Sequence, residues 1–263
     1  MNRFKFDNKK HAYTLDSKPM IGTTTLIKEL MPAPLAWWAS GMALEQMGWT
    51  NPKYIKREEG IKIAGKARKN FFISNSDYYD WLQECYRNHD EFKKEAGEWG
   101  SLQHEKIEEA VKEAIKNGGY LKPEAYEDEA VERFASWGRG KKFIYSEVNV
   151  WSELLWLGGQ ADLIYQEDDK YYIADVKTSK SIYASQFIQI GLYDCQQSEN
   201  GFYTAEGEKV GEPLKIEGYT VVNIPKLGGL RVETYRGTKQ LREFGVTLVS
   251  SYRTLKELET LIK

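Results

Sequence analysis

The pattern of apolar and polar positions divides the chain into a helical first half and a second half rich in strands. Residues 3–22 alternate loosely between apolar and polar positions around two turn signals, which predicts a β-hairpin. Thr23 or Thr24 could then cap a helix that runs from about Leu26. A second helix is expected to open at the pair Trp37-Trp38, after two prolines.

Helical periodicity continues up to residue 137. Residues 77–117 are predicted to be helical, in two pieces separated near Gly97 and Gly100. Pro123 is expected to open a further helix that runs to about Trp137.

The texture changes at Lys142, after which β-branched and aromatic residues dominate. The pattern predicts strands at 143–150, 154–165 and 171–176, a helix at 184–197, strands at 219–224 and 231–235, and a long helix at 238–262. This order of elements predicts an α/β fold in which helices flank a central mixed sheet.

Composition narrows the class of protein. The 263 residues are 41% hydrophobic and 29% charged, which is enough to bury a sizeable core and argues against a disordered chain. A net charge of -2 excludes a uniformly basic nucleic-acid-coating protein, although not a local basic surface. Two cysteines, Cys85 and Cys195, are too few for a disulfide framework, a four-cysteine zinc site or an iron–sulfur cluster. Without an apolar run of about 18 to 20 residues, we expect no membrane contact and a cytoplasmic location.

The most basic segment is 51–70, which contains seven Lys or Arg residues and only two Glu residues, with aromatic residues in and directly after it. Cations that follow phosphates beside rings that stack on bases are typical of a channel for single-stranded nucleic acid. An exposed helix with its apolar side chains turned inward explains the same segment equally well.

Two acids and a lysine mark the candidate chemistry. Asp162 lies late in one predicted strand and Asp175 at the end of the next, so an antiparallel pair could place the carboxylates side by side. Converging carboxylates repel each other unless a cation neutralises them, and oxygen ligands suit Mg²⁺ or Mn²⁺. Lys177 falls on the same face as Asp175 and could orient a water molecule. Alternatively, these are turn-flanking acids and Lys177 is their salt-bridge partner.

Four motifs in order extend this picture. They are Gly100 to His104, Gly158-Gly159-Gln160-Ala161-Asp162, Asp175-Val176-Lys177, and Gln189 to Tyr193. Together they resemble the PD-(D/E)XK nuclease superfamily, and in particular its RecB-like branch. The segment from Gly22 to Ile27 and the lead-in to Gly100 are similar to phage exonucleases and to the mitochondrial genome maintenance exonuclease.

The resemblance implies a site. His104, Asp162, Asp175 and the carbonyl of Val176 would bind the metal, and Lys177 would handle the attacking water. The first-strand acid of the family corresponds to Glu147, which would bind a second metal ion or a metal-bound water. Gln189 and Tyr193 lie four residues apart on one helix face, where they could contact phosphates or support Lys177, although a buried tyrosine against the sheet is the rival interpretation.

Further residues are expected to contact nucleic acid. Thr178 and Ser179 stand at a strand-to-helix junction where hydroxyls and free amides can hold a phosphate, although helix capping alone would explain them. The other candidates are Thr24, Trp37, Lys62, Lys66 and Arg68. For Trp37 the alternative is a core anchor.

The resemblance implies a restriction-endonuclease-like core at 98–263, with an N-terminal hairpin and helical elaboration at 1–97 packed on it. The expected activity is metal-dependent exonuclease cleavage of DNA that leaves 5′-phosphates, with Mg²⁺ or Mn²⁺ and no iron–sulfur cluster. A phage-type role in recombination or DNA turnover in the host cytoplasm would fit, with a recombination or replication protein as partner; the oligomeric state stays open. Alternatives are a structure-specific endonuclease, a non-catalytic nucleic-acid-binding protein, or a sugar-cleaving hydrolase that uses Asp162 and Asp175.

Overall fold

A computed structural model describes residues 3–32 and 75–262, together with residues 39 and 43. The chain divides into two compact units, one formed by residues 1–32 with 100–263 and the other by residues 33–99. The first 32 residues thus cluster with the second half of the chain, whereas the sequence placed them with residues up to 97.

The described elements are five helices and ten strands. The helices are α1 (Thr23–Leu30), α2 (Asn75–Lys116), α3 (Glu129–Gly138), α4 (Ala184–Asn200) and α5 (Thr238–Leu261). The strands are β1 (Phe4–Asp7), β2 (Ala12–Leu15), β3 (Lys18–Gly22), β4 (Lys142–Ser152), β5 (Leu157–Glu167), β6 (Lys170–Lys177), β7 (Phe202–Tyr203), β8 (Lys209–Gly211), β9 (Ile216–Asn223) and β10 (Arg231–Tyr235).

Strand β5 is the centre of one mixed sheet. It pairs antiparallel with β4 along its length, antiparallel with β6 in its second half, and parallel with β3 at its start. Strand β6 continues the sheet by parallel pairing with β9, which pairs antiparallel with β10. The α/β class with a mixed sheet flanked by helices is therefore confirmed.

Helices cover the sheet on both faces because neighbouring residues of a strand point to opposite sides. Ile164 packs in one buried cluster with Ile190 of α4, whereas the ring of Tyr165 contacts Trp137 of α3. Helix α5 packs in turn on α4, where Gly191 leaves room for Leu241. The layers are α3, sheet, α4 and α5, so α4 is buried on two sides.

Two predicted helix boundaries are wrong. Helix α2 runs unbroken through Gly97 and Gly100, because neither glycine adopts a positive φ and strong helix formers surround both. Helix α3 begins at Glu129, well after Pro123, because the Asp128 carboxylate accepts hydrogen bonds from the amides of the first turn and caps the helix there.

The start of α1 also differs from the prediction. Gly22 is the cap, and Thr23 is the first helical residue. The Thr23 hydroxyl donates instead to the carbonyl oxygen of Gly158 at 3.2 Å, which ties α1 to β5. Thr23 therefore has a packing role and not a capping role.

The N-terminal hairpin has a third strand, β3, that joins it to the main sheet. The short strands β7 and β8 extend the edge beside β4 and were not predicted. The helix predicted at Trp37-Trp38 lies outside the described residues. Within residues 3–32 and 75–262, none of the helices combines the length and apolar character that a membrane span needs.

We expect Gly158→Ala to lower the free energy of unfolding by about 1–3 kcal/mol, as overpacking does. An added Cβ would overlap Cγ of Tyr13, whose buried ring stacks on Phe6 and cannot move aside freely. Gly97→Ala is the matched control, because it has nothing within 4 Å and should stabilise α2 by about 0.5–1 kcal/mol. Urea unfolding followed by circular dichroism measures both, and equal midpoints for the two variants would contradict this packing.

Candidate functional site

The candidate site lies where β5 and β6 separate. Their backbone pairing runs from Glu167 opposite Lys170 to Leu163 opposite Ala174 and does not continue further. Beyond it, Oδ2 of Asp162 accepts a hydrogen bond from the amide of Val176 at 2.8 Å. The Asp162 carboxylate thus accepts the hydrogen bond of a backbone amide that has no backbone partner on β5. This contact holds the carboxylate beside the end of β6.

Asp175 and Lys177 form an ion pair at the end of β6. Oδ2 of Asp175, which is 1% exposed, lies 2.6 Å from Nζ of Lys177, as the alternation of the strand predicted. Apart from the ammonium of Lys177, this oxygen has no partner among the described residues. It therefore has acceptor capacity to spare in a buried place.

Helix α4 supports the pair from behind. Nε2 of Gln189 donates to Tyr193 Oη at 2.7 Å and lies 3.5 Å from Oδ1 of Asp175. Tyr193 is 2% exposed, and its ring would be only 2.6 Å from a Cβ at Gly159. The two side chains face the same way, as predicted, but Tyr193 is a packed residue that holds Gln189 against Asp175.

Glu147 occupies an unusual backbone position in β4. Its neighbours pair as Ser146 with Leu163 and Val148 with Ala161, so the strand register places Glu147 opposite Asp162. Its φ of 50° is left-handed, which costs about 1–3 kcal/mol for a residue with a side chain. Strain of this kind persists only where the surrounding structure imposes it, and it is common at functional sites.

The three acids of the site all have raised pKa values. Burial, reinforced by the charge of Asp162, raises the pKa of Glu147 to about 9. Burial also raises the pKa of Asp162, and it raises the pKa of Asp175 to about 7 even though Lys177 opposes the shift. All three carboxyl groups therefore have raised pKa values, which a cation bound beside them would lower again.

Lys177 stays charged. Burial alone would lower its pKa, but the charges of Asp175 and Asp162 outweigh burial and raise the pKa above the usual value. The side chain is therefore an ammonium group, which can donate hydrogen bonds but does not accept a proton.

His104 faces the same cluster from α2. Burial lowers its pKa, the charge of Lys177 lowers it further, and Asp175 and Glu108 oppose the shift. The imidazole is therefore neutral, which is the form that binds metals. One turn earlier, a Cβ at Gly100 would be 2.7 Å from Oγ1 of Thr178, so this glycine lets α2 approach the end of β6.

The types of ligand atom at this site, although not their present arrangement, are those that suit a magnesium-type ion. Mg²⁺ is commonly held by one or two carboxylates with several waters, and Asp162 and Asp175 with the Val176 carbonyl provide such oxygens. No group of three or more His, Cys, Asp or Glu side chains within the described ranges stands in place to hold a metal. In this arrangement Asp175 is turned towards Lys177 and Asp162 towards Val176. The fit rests on the spare buried oxygen of Asp175 and the three carboxyl groups with raised pKa values.

The other predicted residues are not part of the cluster as described. Thr178 lies against Gly100, and the hydroxyl of Ser179 donates to the carbonyl of Ser181, which shapes the turn before α4. Thr24 is half-buried in α1, and no hydrogen bond among the described residues connects it with the acids. Four candidates lie outside the described residues: Trp37, Lys62, Lys66 and Arg68.

The sequence interpretation missed Asn223. This residue is wholly buried at the end of β9, pairs in register with Lys177, and has no partner within the described part of the chain for either end of its amide. A buried amide without partners needs a water or a ligand. A polar residue closing an apolar strand, in Val221-Val222-Asn223, was the only available signal.

No protein-family model matches the sequence, and no curated protein matches it. Among solved structures, the crystal structure of SSO0001 is similar over 68% of either chain, with 14% sequence identity and a TM-score of 0.35. A similarity at that TM-score carries no argument about fold or function. The site must therefore be interpreted from the residues of this chain alone.

In EDTA, we expect the free energy of unfolding to fall as pH rises from about 4 towards 9. Glu147 and Asp175 have higher pKa values in the folded than in the unfolded chain, so the folded state binds more protons and loses stability as they leave. The slope is at most about 1.4 kcal/mol per pH unit for each proton. Urea unfolding midpoints across this range measure it.

Glu147→Gln should flatten that slope, because the amide keeps the shape of the side chain and does not ionise. Glu105→Gln, at an exposed position of α2, is the matched control and should leave the slope unchanged. A stability that rises with pH in the wild-type protein would refute the proposed crowding of carboxyl groups.

Metal affinity provides a separate check. Asp162→Asn and Asp175→Asn should each weaken Mn²⁺ binding at least about tenfold in calorimetry, because each removes an anionic oxygen. Asp168→Asn, in the exposed turn between β5 and β6, is the control and should bind Mn²⁺ like the wild type. Undiminished binding in both site variants would rule out this metal site.

Proposed function

We propose that this chain is a divalent-metal-dependent deoxyribonuclease whose mixed sheet is a PD-(D/E)XK-type core. The observation that carries the proposal is the set of Asp162, Asp175 and Lys177 gathered where β5 and β6 separate. A sugar-cleaving hydrolase would use the two acids, but it gives no role to a buried ammonium or to a neutral imidazole beside them.

The site residues divide the work of phosphodiester hydrolysis. Asp162, Asp175 and the Val176 carbonyl would hold the ion, with His104 as a further ligand, and the ion would supply Lewis-acid stabilisation of charge on the phosphate. Lys177 keeps its proton on Nζ, from which it donates to the attacking water or to a non-bridging phosphate oxygen. This differs from a lysine that removes a proton from water.

Positioning is the task of the surrounding groups. Asp175 fixes the ammonium of Lys177, and Gln189 fixes Asp175 through its contact with Oδ1. A fixed donor stabilises developing charge without having to reorganise during the reaction. The water attacks phosphorus in line and gives up a proton to solvent, the P–O3′ bond breaks, and O3′ takes a proton from solvent, which leaves a 5′-phosphate and a 3′-hydroxyl.

Exonuclease action on single strands or duplex ends is the preferred mode. This mode is supported by the similarity of the N-terminal sequence to phage exonucleases. The basic segment at 51–70, which was predicted to contact nucleic acid, lies outside the described residues. An endonuclease of the same superfamily would share every catalytic residue, so the choice between the two depends on the substrate.

We expect Lys177→Met to slow metal-dependent DNA degradation by about 10²–10³-fold, the usual loss when one fixed donor is removed. Lys170→Met is the matched control, since it lies on the same strand, is exposed, and pairs with Glu217 away from the acids. The assay uses end-labelled linear single-stranded and duplex DNA with Mn²⁺, Mg²⁺ or EDTA.

A circular single strand completes the experiment. It should stay intact with an exonuclease, whereas its cleavage would assign an endonuclease with the same site. Absence of degradation of every substrate with either metal, by protein that binds Mn²⁺, would refute the proposed hydrolysis.

A further inference from the structure

Two loops leave the sheet beside Lys177. Strands β6 and β9 are parallel and in register, with Lys177 opposite Asn223, so both end at the same edge. The amide of Ile224 donates to the carbonyl of Lys177 at 2.7 Å, which joins the starts of the two loops. We name residues 178–183 and 224–231 together the basic edge.

The basic edge has an unusual charge. Neither 176–187 nor 218–232 contains an Asp or Glu, although acids outnumber basic residues by 39 to 37 in the whole chain. Lys180, Lys226 and Arg231 are exposed, and none forms an ion pair with a described acid. At the opposite end of the same strands, Lys170 pairs with Glu217. The end beside the site thus carries positive charge with no acid in the flanking segments to compensate it.

The two loops are held in shape. Nη1 of Arg133, on α3, donates to the carbonyls of Pro225 and Gly228 at 3.2 and 2.6 Å. Nη1 of Arg231 donates to the carbonyl of Lys180 at 3.3 Å and bridges the loops. These contacts satisfy carbonyls that no strand partner reaches, so the edge is a preformed surface and not a loose loop.

Two large side chains stand out from this surface. Leu227 is 88% exposed at the tip of the second loop, and Tyr183 is 52% exposed at the end of the first. Proteins bind single-stranded nucleic acid with surfaces of this kind. Their cations contact the phosphates, and their exposed rings and apolar side chains contact the faces of the bases.

We propose that the basic edge binds a single strand of DNA next to the bond that the site cleaves. The inference rests on the proposed function and identifies where that substrate lies. Lys180, Lys226 and Arg231 contact phosphates, while Leu227 and Tyr183 contact bases. The alternative occupant, an acidic protein segment, would match the charges but gives no reason for their place beside Asp175 and Lys177.

The first test measures binding without cleavage. Fluorescence anisotropy with a labelled single-stranded 20-nucleotide DNA in EDTA compares the wild type with Lys180→Ala/Lys226→Ala/Arg231→Ala. We expect affinity to fall at least about tenfold at about 0.1 M salt, and the slope of log K against log salt to fall by about two. Lys9→Ala/Lys10→Ala/Lys18→Ala, an equal change of charge on β1–β3, should bind within about twofold of the wild type.

A charge-conserving variant separates contact from folding. Lys180→Arg/Lys226→Arg/Arg231→Lys should keep both the affinity and the salt slope of the wild type. If the triple alanine variant does not fold, as judged by its circular dichroism spectrum, the three single alanine variants replace it. Each of these is expected to lose about threefold in affinity. Wild-type affinity in folded alanine variants would overturn the proposal while leaving the proposed hydrolysis intact. Loss of binding in these variants, with no hydrolysis by the wild type, would instead support the edge and refute the nuclease.

The base contacts have their own readout. Leu227→Ser/Tyr183→Ser should lose at least about threefold in affinity for the ordinary strand and nothing for an abasic strand of the same length, because the latter offers phosphates only. Equal losses on both strands would refute the base contacts. Poly-glutamate that displaces the DNA at equal charge concentration would overturn the proposal in favour of an acidic protein segment.

Discussion

The main constraint on this structure is the repulsion between the carboxyl groups that lie where β5 and β6 separate. Asp162 and Asp175 come from adjacent strands and Glu147 from a third, and burial raises the pKa of each. Within the described chain, a single ammonium, that of Lys177, stands in ion-pair contact with one of them. Three buried carboxyl groups beside one ammonium are costly to hold together, so the folded site gains stability from any cation that binds there.

Rigidity comes from helix α4, which lies between the sheet and α5. Its glycine Gly191 lets Leu241 of α5 approach, and its Tyr193 fills the space above Gly159 of β5. The two glycines of the Gly158-Gly159 motif therefore serve packing and not chemistry, since one accommodates Tyr13 and the other Tyr193. Close packing on both sides of α4 keeps Gln189 at Asp175, so the precision of the site originates in contacts well away from it.

The sequence predicted the local and periodic features, and it failed where geometry depends on distant partners. Alternation along a strand was enough to place Lys177 beside Asp175, and the apolar pattern was enough to predict the β4–β6 meander. The left-handed φ of Glu147 lies between two regularly paired residues of β4, and no local signal in the sequence indicates it. The orphaned amide of Asn223 depends in the same way on its register with β6. Gly97 and Gly100 were misjudged because glycine breaks a helix only when its neighbours fail to maintain it.

The hydrogen bond from the Val176 amide to Asp162 has an evolutionary consequence. Replacing Asp162 removes an acid and also leaves a buried backbone donor without its acceptor, so the change harms folding even in a chain that no longer needs its chemistry. Lys177 also has a second duty, because it is the ion-pair partner of Asp175 and its loss would leave that buried acid without a described cation. Both residues would therefore be retained for folding in a descendant that had lost the chemistry, so their presence alone does not prove activity.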